Sequence, residues 1–286
     1  YPAGGTGATR GFDGNHGVRA YSEGDFNAVW AIEVVEAQCP VQVVQYGIRE
    51  GSCGDGEFRG GCGIRRDLRI LSESASLSVL ADKCVIPPFG TATAMSGAAN
   101  RFVVLRDGSV LEPSPVPGKV GGFALQRDDV VRIETAGGGG YGDPLGRDPA
   151  QVADDVALGY LSTRQAQHRF GVVLDDRGRP DEKRTGDERV RLLKARTRIS
   201  LQSAARDEYD GPRRRIGVPA DIANRLSVRE DSLIELVTPT SAAALRGWVS
   251  LQREGNMVCL GPQGLAVLNA KPGDTAEIRA VSVCPK

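Results

Sequence analysis

Four consecutive glycines, Gly137 to Gly140, are separated only by Thr135 and Ala136 from a β-branched segment that ends at Glu134. Glycine contributes 37 of the 286 residues, whereas an average chain of this length would contain about 20. Because glycine has no Cβ, it permits turns and lets two backbones approach each other closely. The glycine excess therefore predicts a chain with many turns and close backbone contacts.

Charge and hydropathy exclude several classes of protein. Lys and Arg together number 36, as do Asp and Glu, so the formal net charge is zero. A dedicated nucleic-acid or membrane-surface protein would carry a field of one sign, and no apolar run approaches the roughly 18 residues of a membrane helix. We therefore expect no nucleic-acid partner and no membrane partner. The chain begins with Tyr1 and not Met, which leaves open a cleaved, truncated or partial polypeptide.

Cysteine and histidine are spaced poorly for metal binding. The cysteines are Cys39, Cys53, Cys62, Cys84, Cys259 and Cys284, and the histidines are His16 and His168. A zinc site made of these residue types needs close ligand pairs, and no Cys-x-x-Cys pair occurs. We expect reduced thiols in a cytoplasmic protein, although three disulfides are possible in principle. We expect no metal site formed by this chain alone.

Residues 1 to about 146 have the pattern of a mainly β structure with long loops. Asp107-Gly108 lies between two apolar runs and is a strong hairpin signal. Strands are predicted at Ile32–Val35, Val41–Tyr46, Leu68–Leu71, Ser76–Leu80, Phe102–Leu105 and Val130–Glu134, where β-branched residues concentrate.

Two helices are predicted next, because both have capping signals. Asp148-Pro149 provides an acidic N-cap followed by proline, and Val152, Val156 and Tyr160 fall on one face. Ser162 and Gln165 form a capping box for a second helix that ends before Gly171. The run Val172–Leu174 predicts a return to strand.

The remaining chain divides into a basic stretch and a compact end. Between Arg177 and Arg215 there are 13 basic and 7 acidic residues, which predicts a solvated linker with a helical segment at Arg189–Ser203. Four strands are predicted after it, at 233–237, 247–251, 257–260 and 276–281, with a short helix at Val218–Leu226. The fold class is therefore α+β and predominantly β. A large glycine-rich mixed domain (1–175) precedes a basic linker (176–212) and a small β-barrel-like domain (213–286).

The glycine-rich segment at Thr135–Pro144 formally contains Gly-x-Gly-x-x-Gly at Gly137, Gly139 and Gly142. In a dinucleotide site a helix begins at the third glycine and faces the pyrophosphate. Here Asp143-Pro144 intervenes, so a turn that approaches a ligand or a neighbouring subunit is favoured. No P-loop motif occurs.

A second glycine cluster, Gly51–Gly63, contains polar residues that could do chemistry. Ser52 or Cys53 could be a nucleophile activated by His16, and the alternative is a pair of turns with incidental thiols. Arg59 suits carboxylate or phosphate recognition, and a structural salt bridge is equally compatible. Glu33 and Glu36 are a weaker candidate for a carboxylate pair.

Several of these segments, taken in order, resemble the hydantoinase B/5-oxoprolinase family, specifically the C-terminal part of its B-type subunit. The resemblance covers roughly residues 1 to 175. It rests on Gly4–Ala8, Asp13-Gly14, Glu33–Ala37 followed by Pro40, Phe58–Gly61, Ala81–Lys83 with Pro87-Pro88, and Gly137–Pro144 with Arg147–Pro149.

The resemblance implies an ATP-dependent hydrolase of cyclic amides such as hydantoins, 5-oxoproline or lactams, working with a hydantoinase A-type ATP-binding subunit. A related branch carboxylates ketones such as acetone and acetophenone. The family's metal-ligand motifs belong to the N-terminal half of the B-type subunit and are absent from this sequence. ATP, Mg²⁺ and a divalent metal, Zn or Mn, are therefore expected on partner chains.

The candidate site residues lie in the two glycine clusters and in the segments near them. Candidate catalytic residues are Asp13, His16, Ser52 and Arg59, and candidate substrate or interface loops contain Gly5, Gly7, Gly60, Gly61, Gly138, Gly139, Tyr141 and Asp143. Two alternatives remain open at this point. One is a non-catalytic assembly subunit, and the other is an autonomous hydrolase that uses Cys53 and His16.

Overall fold

The structure, a computed structural model, describes residues 3–18, 31–204, 209–253 and 255–281. Strands outnumber helices, and the C-terminal region closes into a barrel. The predicted α+β, predominantly β fold class is therefore confirmed. None of the helices in the described part of the chain has the length and hydropathy to span a bilayer.

An antiparallel sheet of five strands forms the base of the N-terminal half, and a separate two-stranded sheet lies beside it. In chain order the strands are β1 (Val41–Ile48), β2 (Ile64–Ile70), β3 (Ser74–Leu80), β4 (Arg101–Arg106), β5 (Ser109–Leu111), β6 (Lys119–Gln126) and β7 (Val130–Glu134). The larger sheet has the order β1-β2-β7-β4-β5, and β3 pairs with β6. The turn between β4 and β5 has positive φ at both Asp107 and Gly108, which confirms the predicted hairpin.

Three local predictions in this half were wrong or incomplete. Ile32–Val35 is not a strand but the start of helix α1 (Ile32–Gln38), which has no buried residue. Its β-propensity is overridden because no strand in the described part of the chain pairs with it. Val172–Leu174 forms no strand, since only Leu174 makes an isolated bridge. Strand β6 was missed because Gly121 and Gly122 interrupt its pattern.

The predicted helix caps are confirmed. Helix α2 (Pro149–Ala157) begins at Asp148, whose side chain accepts a hydrogen bond from the Ala150 amide. Helix α3 (Thr163–Phe170) has the complete capping box of Ser162 and Gln165. These helices pack Val152, Leu161 and Phe170 against Cys53 and Cys62.

The prediction of a helical segment at Arg189–Ser203 within the linker is right for residues 189–195 and wrong for 198–203. Residues 176–212 contain helix α4 (Glu182–Ala195) and strand β8 (Arg198–Ser203), and β8 is one of the barrel strands. Ile199 and Leu201 alternate with exposed residues and are buried, a two-residue period that outweighs the basic composition.

After β8 the C-terminal region contains β9 (Arg215–Pro219), α5 (Ala220–Arg225), β10 (Leu233–Val237), β11 (Leu245–Gln252), β12 (Val258–Leu260), α6 (Pro262–Val267) and β13 (Thr275–Ala280). Six strands close the barrel in the order β10-β11-β9-β12-β8-β13. Sixteen buried aliphatic residues fill the interior. The barrel contacts the N-terminal half at residues 87–96, where Arg279 donates to the Thr93 carbonyl oxygen at 2.9 Å and Ala92 to the Ala242 carbonyl oxygen at 3.2 Å.

Candidate functional site

The glycine clusters meet in one assembly, which we call the glycine bundle: the extended segments 4–8, 52–55, 60–63, 88–91, 95–98 and 137–140. Segment 137–140 lies at its centre and hydrogen bonds to every other segment. The bonds run from Gly138 N to Gly61 O (2.9 Å), Gly54 N to Gly138 O (2.8 Å), Ala8 N to Gly139 O (2.9 Å), Gly140 N to Met95 O (3.1 Å) and Thr91 N to Gly140 O (3.0 Å). The two glycine-rich stretches of the sequence are thus neighbours in space.

Glycine is required in the bundle because the backbones touch. A Cβ on Gly138 would lie 1.8 Å from the Thr6 carbonyl oxygen, and one on Gly139 would lie 1.8 Å from that of Phe89. Real Cβ atoms do not approach oxygen so closely, so no larger residue fits. The glycine excess is therefore a packing requirement.

The same geometry argues against nucleotide binding at Gly137–Gly142. The amides of Gly137, Gly138, Gly140 and Gly142 donate to carbonyl oxygens of this chain, so they are not directed at a phosphate. The next α-helix begins only at Pro149. This arrangement lacks the exposed amides and the helix N-terminus that a dinucleotide site requires.

Predicted loop residues either build the bundle or brace it. Gly5, Gly60, Gly61, Gly138 and Gly139 all lie in bundle contacts, whereas Gly7 is exposed. Tyr141 pairs with Phe58 in an isolated bridge, and its hydroxyl accepts from Arg10 Nε at 3.2 Å. Asp143 accepts two hydrogen bonds from Arg196, at 2.6 and 2.7 Å. That these loops shape a substrate region remains a prediction.

Arg59 and Asp13 belong to a buried ion cluster with Arg147 and Asp155. Arg147 donates to both oxygens of Asp13, at 2.8 and 2.7 Å, and to Asp155 at 3.0 Å. Arg59 donates to Asp155 at 2.9 Å. The cluster is charge-balanced, and Arg147 is only 1% exposed. Arg59 therefore makes the structural salt bridge that its sequence context allowed.

The two carboxylates of this cluster have opposite pKa shifts. Burial raises the pKa of Asp155 in spite of its arginine partners. Burial also acts on Asp13, but hydrogen bonds and charge from Arg147 and Arg59 outweigh it and lower the pKa of that carboxyl. Asp13 therefore stays ionised and joins the 13–15 segment to the start of α2.

His16 contacts a different thiol from the one proposed. Its Nδ1 accepts from the Cys62 amide at 2.9 Å, and its ring lies 4.0 Å from that of Tyr160. Hydrogen bonds from Cys53 and His16 lower the pKa of the Cys62 thiol against the effect of burial, whereas the contact with Cys62 and burial raise that of Cys53. Cys62 is 0% exposed and Cys53 is 2% exposed, although Cys53 also lines the cavity described below.

Ser52, Glu33 and Glu36 also have structural surroundings. The Ser52 hydroxyl donates to the Arg49 carbonyl oxygen at 2.6 Å and accepts from the Gly63 amide at 2.9 Å. Glu36 caps the Val43 amide at 2.7 Å. Both glutamates lie on the exposed helix α1 and not on the predicted strand.

The sequence reasoning missed a cavity of about 420 Å³ between the glycine bundle and the barrel. Its charged lining residues are Arg49, Arg101, Arg169, Asp55 and Glu235. Asp55 is 7% exposed, and burial raises its pKa to about 6. Glu235 had a readable signal, because it interrupts the otherwise apolar run of β10. Asp55 lies inside the second glycine cluster, but nothing local marked it.

The described residues do not fit a resident metal. They contain no group of three or more His, Cys, Asp or Glu side chains that could hold an ion. Five cysteines are free thiols in the structure, and Cys284 lies outside the described residues.

Comparison with known families gives a match over half of the chain. Residues 1–144 match the model of the family described as Hydantoinase B/oxoprolinase. This stretch includes the larger sheet, the ribbon of β3 and β6, and all segments of the glycine bundle.

Two curated relatives illustrate the match. An uncharacterised protein of Methanocaldococcus jannaschii is 38% identical over 143 residues, which is 50% of this chain and 24% of that protein. Caprolactamase subunit beta of Pseudomonas jessenii is 34% identical over 161 residues, covering 54% of this chain and 27% of the relative. The match thus spans about a quarter of the length of these relatives.

Two solved structures have a similar fold. The ATP-dependent caprolactamase of Pseudomonas jessenii aligns with a TM-score of 0.53 and 27% identity, over 66% of this chain and 33% of that chain. Acetone carboxylase in its nucleotide-free form aligns with a TM-score of 0.53 and 24% identity, over 67% of this chain and 30% of its own. The second likeness shows the fold alone.

Proposed function

Because the chain belongs to the hydantoinase B/oxoprolinase family, we propose that it forms part of a B-type subunit in an ATP-dependent hydrolase of cyclic amides. The observation that carries this proposal is the match over residues 1–144, which includes the whole glycine bundle. Support for the reaction class comes from the relatives, one of which is a caprolactamase subunit beta.

In this proposal the chemistry of phosphate and metal belongs to companion polypeptides. A hydantoinase A-type subunit would bind ATP and Mg²⁺, and the N-terminal half of the B-type subunit would hold the divalent metal, Zn or Mn. ATP supplies a phosphoryl group that turns an unreactive amide oxygen into a leaving group.

The role of this chain is to provide a rigid wall. In the glycine bundle the central backbone segment hydrogen bonds to five neighbouring segments, and the cluster of Asp13, Arg59, Arg147 and Asp155 fixes its edge to helix α2. Such a framework holds a substrate channel in a fixed shape without supplying reactive groups.

One face of the N-terminal half is suited to the remaining part of the B-type subunit. Val44, Tyr46 and Ile48 on the edge strand β1 are 49%, 41% and 40% exposed, and Val34 on α1 is 42% exposed. Apolar residues grouped on an unpaired edge are typical of an interaction surface. The relatives contain a large additional length that this chain does not match, and we assign that portion to this face.

Reconstitution tests the proposal. The chain is co-produced with a hydantoinase A-type subunit and an N-terminal B-type segment, and hydantoin, 5-oxoproline and caprolactam are supplied with ATP. We expect ADP release coupled to ring opening, measured by mass spectrometry as the gain of one water, and no turnover when this chain is omitted.

Other outcomes would support different functions. A product that gains a carboxyl group only when bicarbonate is present would indicate a ketone carboxylase. Turnover that persists without this chain, while the assembly falls apart, would indicate a non-catalytic assembly subunit. Turnover by the isolated chain would contradict the proposal altogether.

A further inference from the structure

The cavity between the glycine bundle and the barrel has the dimensions of a small-molecule site. Its volume of about 420 Å³ falls in the range of roughly 300–1,000 Å³ that is typical of ligand pockets. Small residues of the bundle, including Gly97 and Ala98, form one wall, and Val281 beside β13 forms part of the opposite one. The cavity therefore combines an apolar surface with the charged groups already described.

The side chains that line the cavity carry three formal positive charges and two negative ones. These belong to Arg49, Arg101 and Arg169, against Asp55 and Glu235. Glu235 is 2% exposed and is neutralised from behind by Arg246 at 3.4 Å and Arg279 at 3.9 Å. Glu134 and Glu112, the carboxylate partners of Arg49 and Arg101, do not line the cavity.

Arg169 and Asp55 form a loose pair at the wall. Their closest contact is 3.4 Å, longer than the 2.7–2.9 Å of a strong charge-assisted hydrogen bond. Nη1 of Arg169 also donates to the Gly51 carbonyl oxygen at 3.2 Å. The Asp55 carboxylate is therefore held only weakly by Arg169, and it occupies the place on Arg169 that the carboxylate of a ligand would take.

We propose that this cavity binds a small aliphatic carboxylate, whose carboxyl group pairs with Arg169 and whose hydrocarbon part lies against the small residues of the bundle. The proposal does not rest on the ring-opening reaction. When the ligand binds, Asp55 gives up its contact with Arg169 and takes a proton.

Protonation of Asp55 links binding to pH. The charged and titratable groups that act on Asp55 are Arg169 on α3, Arg147 before α2, and Cys53 and Cys62 in the bundle. Since burial raises the pKa of Asp55 to about 6, this carboxyl is mostly ionised at pH 7.5 and mostly neutral at pH 5.5. The ligand carboxylate stays ionised over this range, so binding becomes tighter as pH falls.

Calorimetric titration of the full chain with hexanoate, and with hexanamide as its neutral analogue, tests the proposal. We expect hexanoate to bind and hexanamide to bind at least about tenfold more weakly, because a charge-assisted hydrogen bond is lost. Arg169→Gln should weaken hexanoate binding by about tenfold or more. The matched control Arg164→Gln, an exposed arginine on the same helix that does not line the cavity, should leave it unchanged.

Asp55→Asn separates a binding role from damage to the fold, because its expected effect is a gain. At pH 7.5 this variant should bind hexanoate at least about threefold more tightly than the unaltered chain, and its affinity should not change between pH 7.5 and 5.5. Any of three results would overturn the proposal. Hexanoate and hexanamide could bind equally well, Arg169→Gln could leave the affinity for hexanoate unaltered, or Arg164→Gln could weaken hexanoate binding as much as Arg169→Gln does.

Discussion

The two halves of this chain are stabilised by different kinds of interior. The barrel buries sixteen aliphatic side chains in one cluster, whereas the N-terminal half has two smaller clusters, of seven and four buried residues. The glycine bundle contributes Cys53 and Cys62 to the larger of these clusters, but it is held together mainly by contacts of backbone with backbone. Side chains fill the interior of the barrel, whereas a side chain inside the glycine bundle would push its backbone segments apart. The same glycine-to-alanine substitution should therefore be tolerated in the barrel and not in the bundle.

Gly138→Ala should have the largest effect on stability. Its Cβ would meet the Thr6 carbonyl oxygen at 1.8 Å, and a backbone that is held by neighbours on all sides cannot move away. We expect the free energy of unfolding to fall by more than about 4 kcal/mol, with loss of soluble protein. Thermal and urea unfolding would measure this.

The matched barrel substitution is Gly264→Ala in α6, where a Cβ would make an ordinary contact of 3.4 Å with Leu245. We expect a change within about 1 kcal/mol there, because a helical alanine replaces a helical glycine. Equal losses from both substitutions would mean that the two interiors do not differ in the way described.

Arg147→Met should be the next most damaging change. It leaves Asp155 buried with one arginine partner and removes the bidentate partner of Asp13, and breaking a buried pair typically costs about 3–5 kcal/mol. Arg215→Met in the barrel removes pairs to the half-exposed Glu230 and Asp231 and should cost less than about 1 kcal/mol. Urea unfolding of both variants at low and high salt would test this, since only the second loss should be screened.

These contrasts also explain which features could be predicted from sequence. The barrel strands and the caps of α2 and α3 have local signals, namely alternation and residues such as Ser162 and Gln165 with fixed spacing. The ion cluster joins Asp13 to Asp155 across the whole N-terminal half, and no local pattern connects them. The glycine content predicted that backbones would lie in close contact. It did not predict that Gly138 would contact Thr6, because contacts between backbones leave no pattern of side chains in the sequence.

Two misassignments have the same cause. Ile32–Val35 has strand propensity but pairs with no strand among the described residues, whereas 198–203 has a basic composition but completes the barrel. In both cases the tertiary context decided the structure, which a single segment does not reveal. The cavity around Asp55 and Arg169 escaped prediction for this reason as well, since it forms only where the bundle meets the barrel.

Asp55, in the N-terminal half, should make the free energy of unfolding depend on pH. Its pKa is raised from 3.8 to about 6 by burial, so the folded state retains a proton that the unfolded state has released between these values. Stability from this group therefore falls as pH rises from about 4 to 6 and stays low above that range. Asp55→Asn should be more stable than the unaltered chain by about 3 kcal/mol at pH 7.5, and the difference should vanish near pH 4. A constant difference across urea unfolding curves at these pH values would contradict the assignment.

The smallest expected effect concerns a glycine that neither interior requires. Gly186 lies in the middle of α4, is exposed, and would have no atom within 4 Å of an added Cβ. Gly186→Ala should therefore raise the free energy of unfolding by about 0.5–1 kcal/mol, because alanine restricts the unfolded chain and favours the helix. Thermal unfolding of Gly186→Ala and Gly138→Ala, measured side by side, should show changes in stability of opposite sign for the same chemical substitution. If Gly186→Ala instead destabilised the chain, the open space around position 186 would not be a reliable sign that an added Cβ is tolerated there.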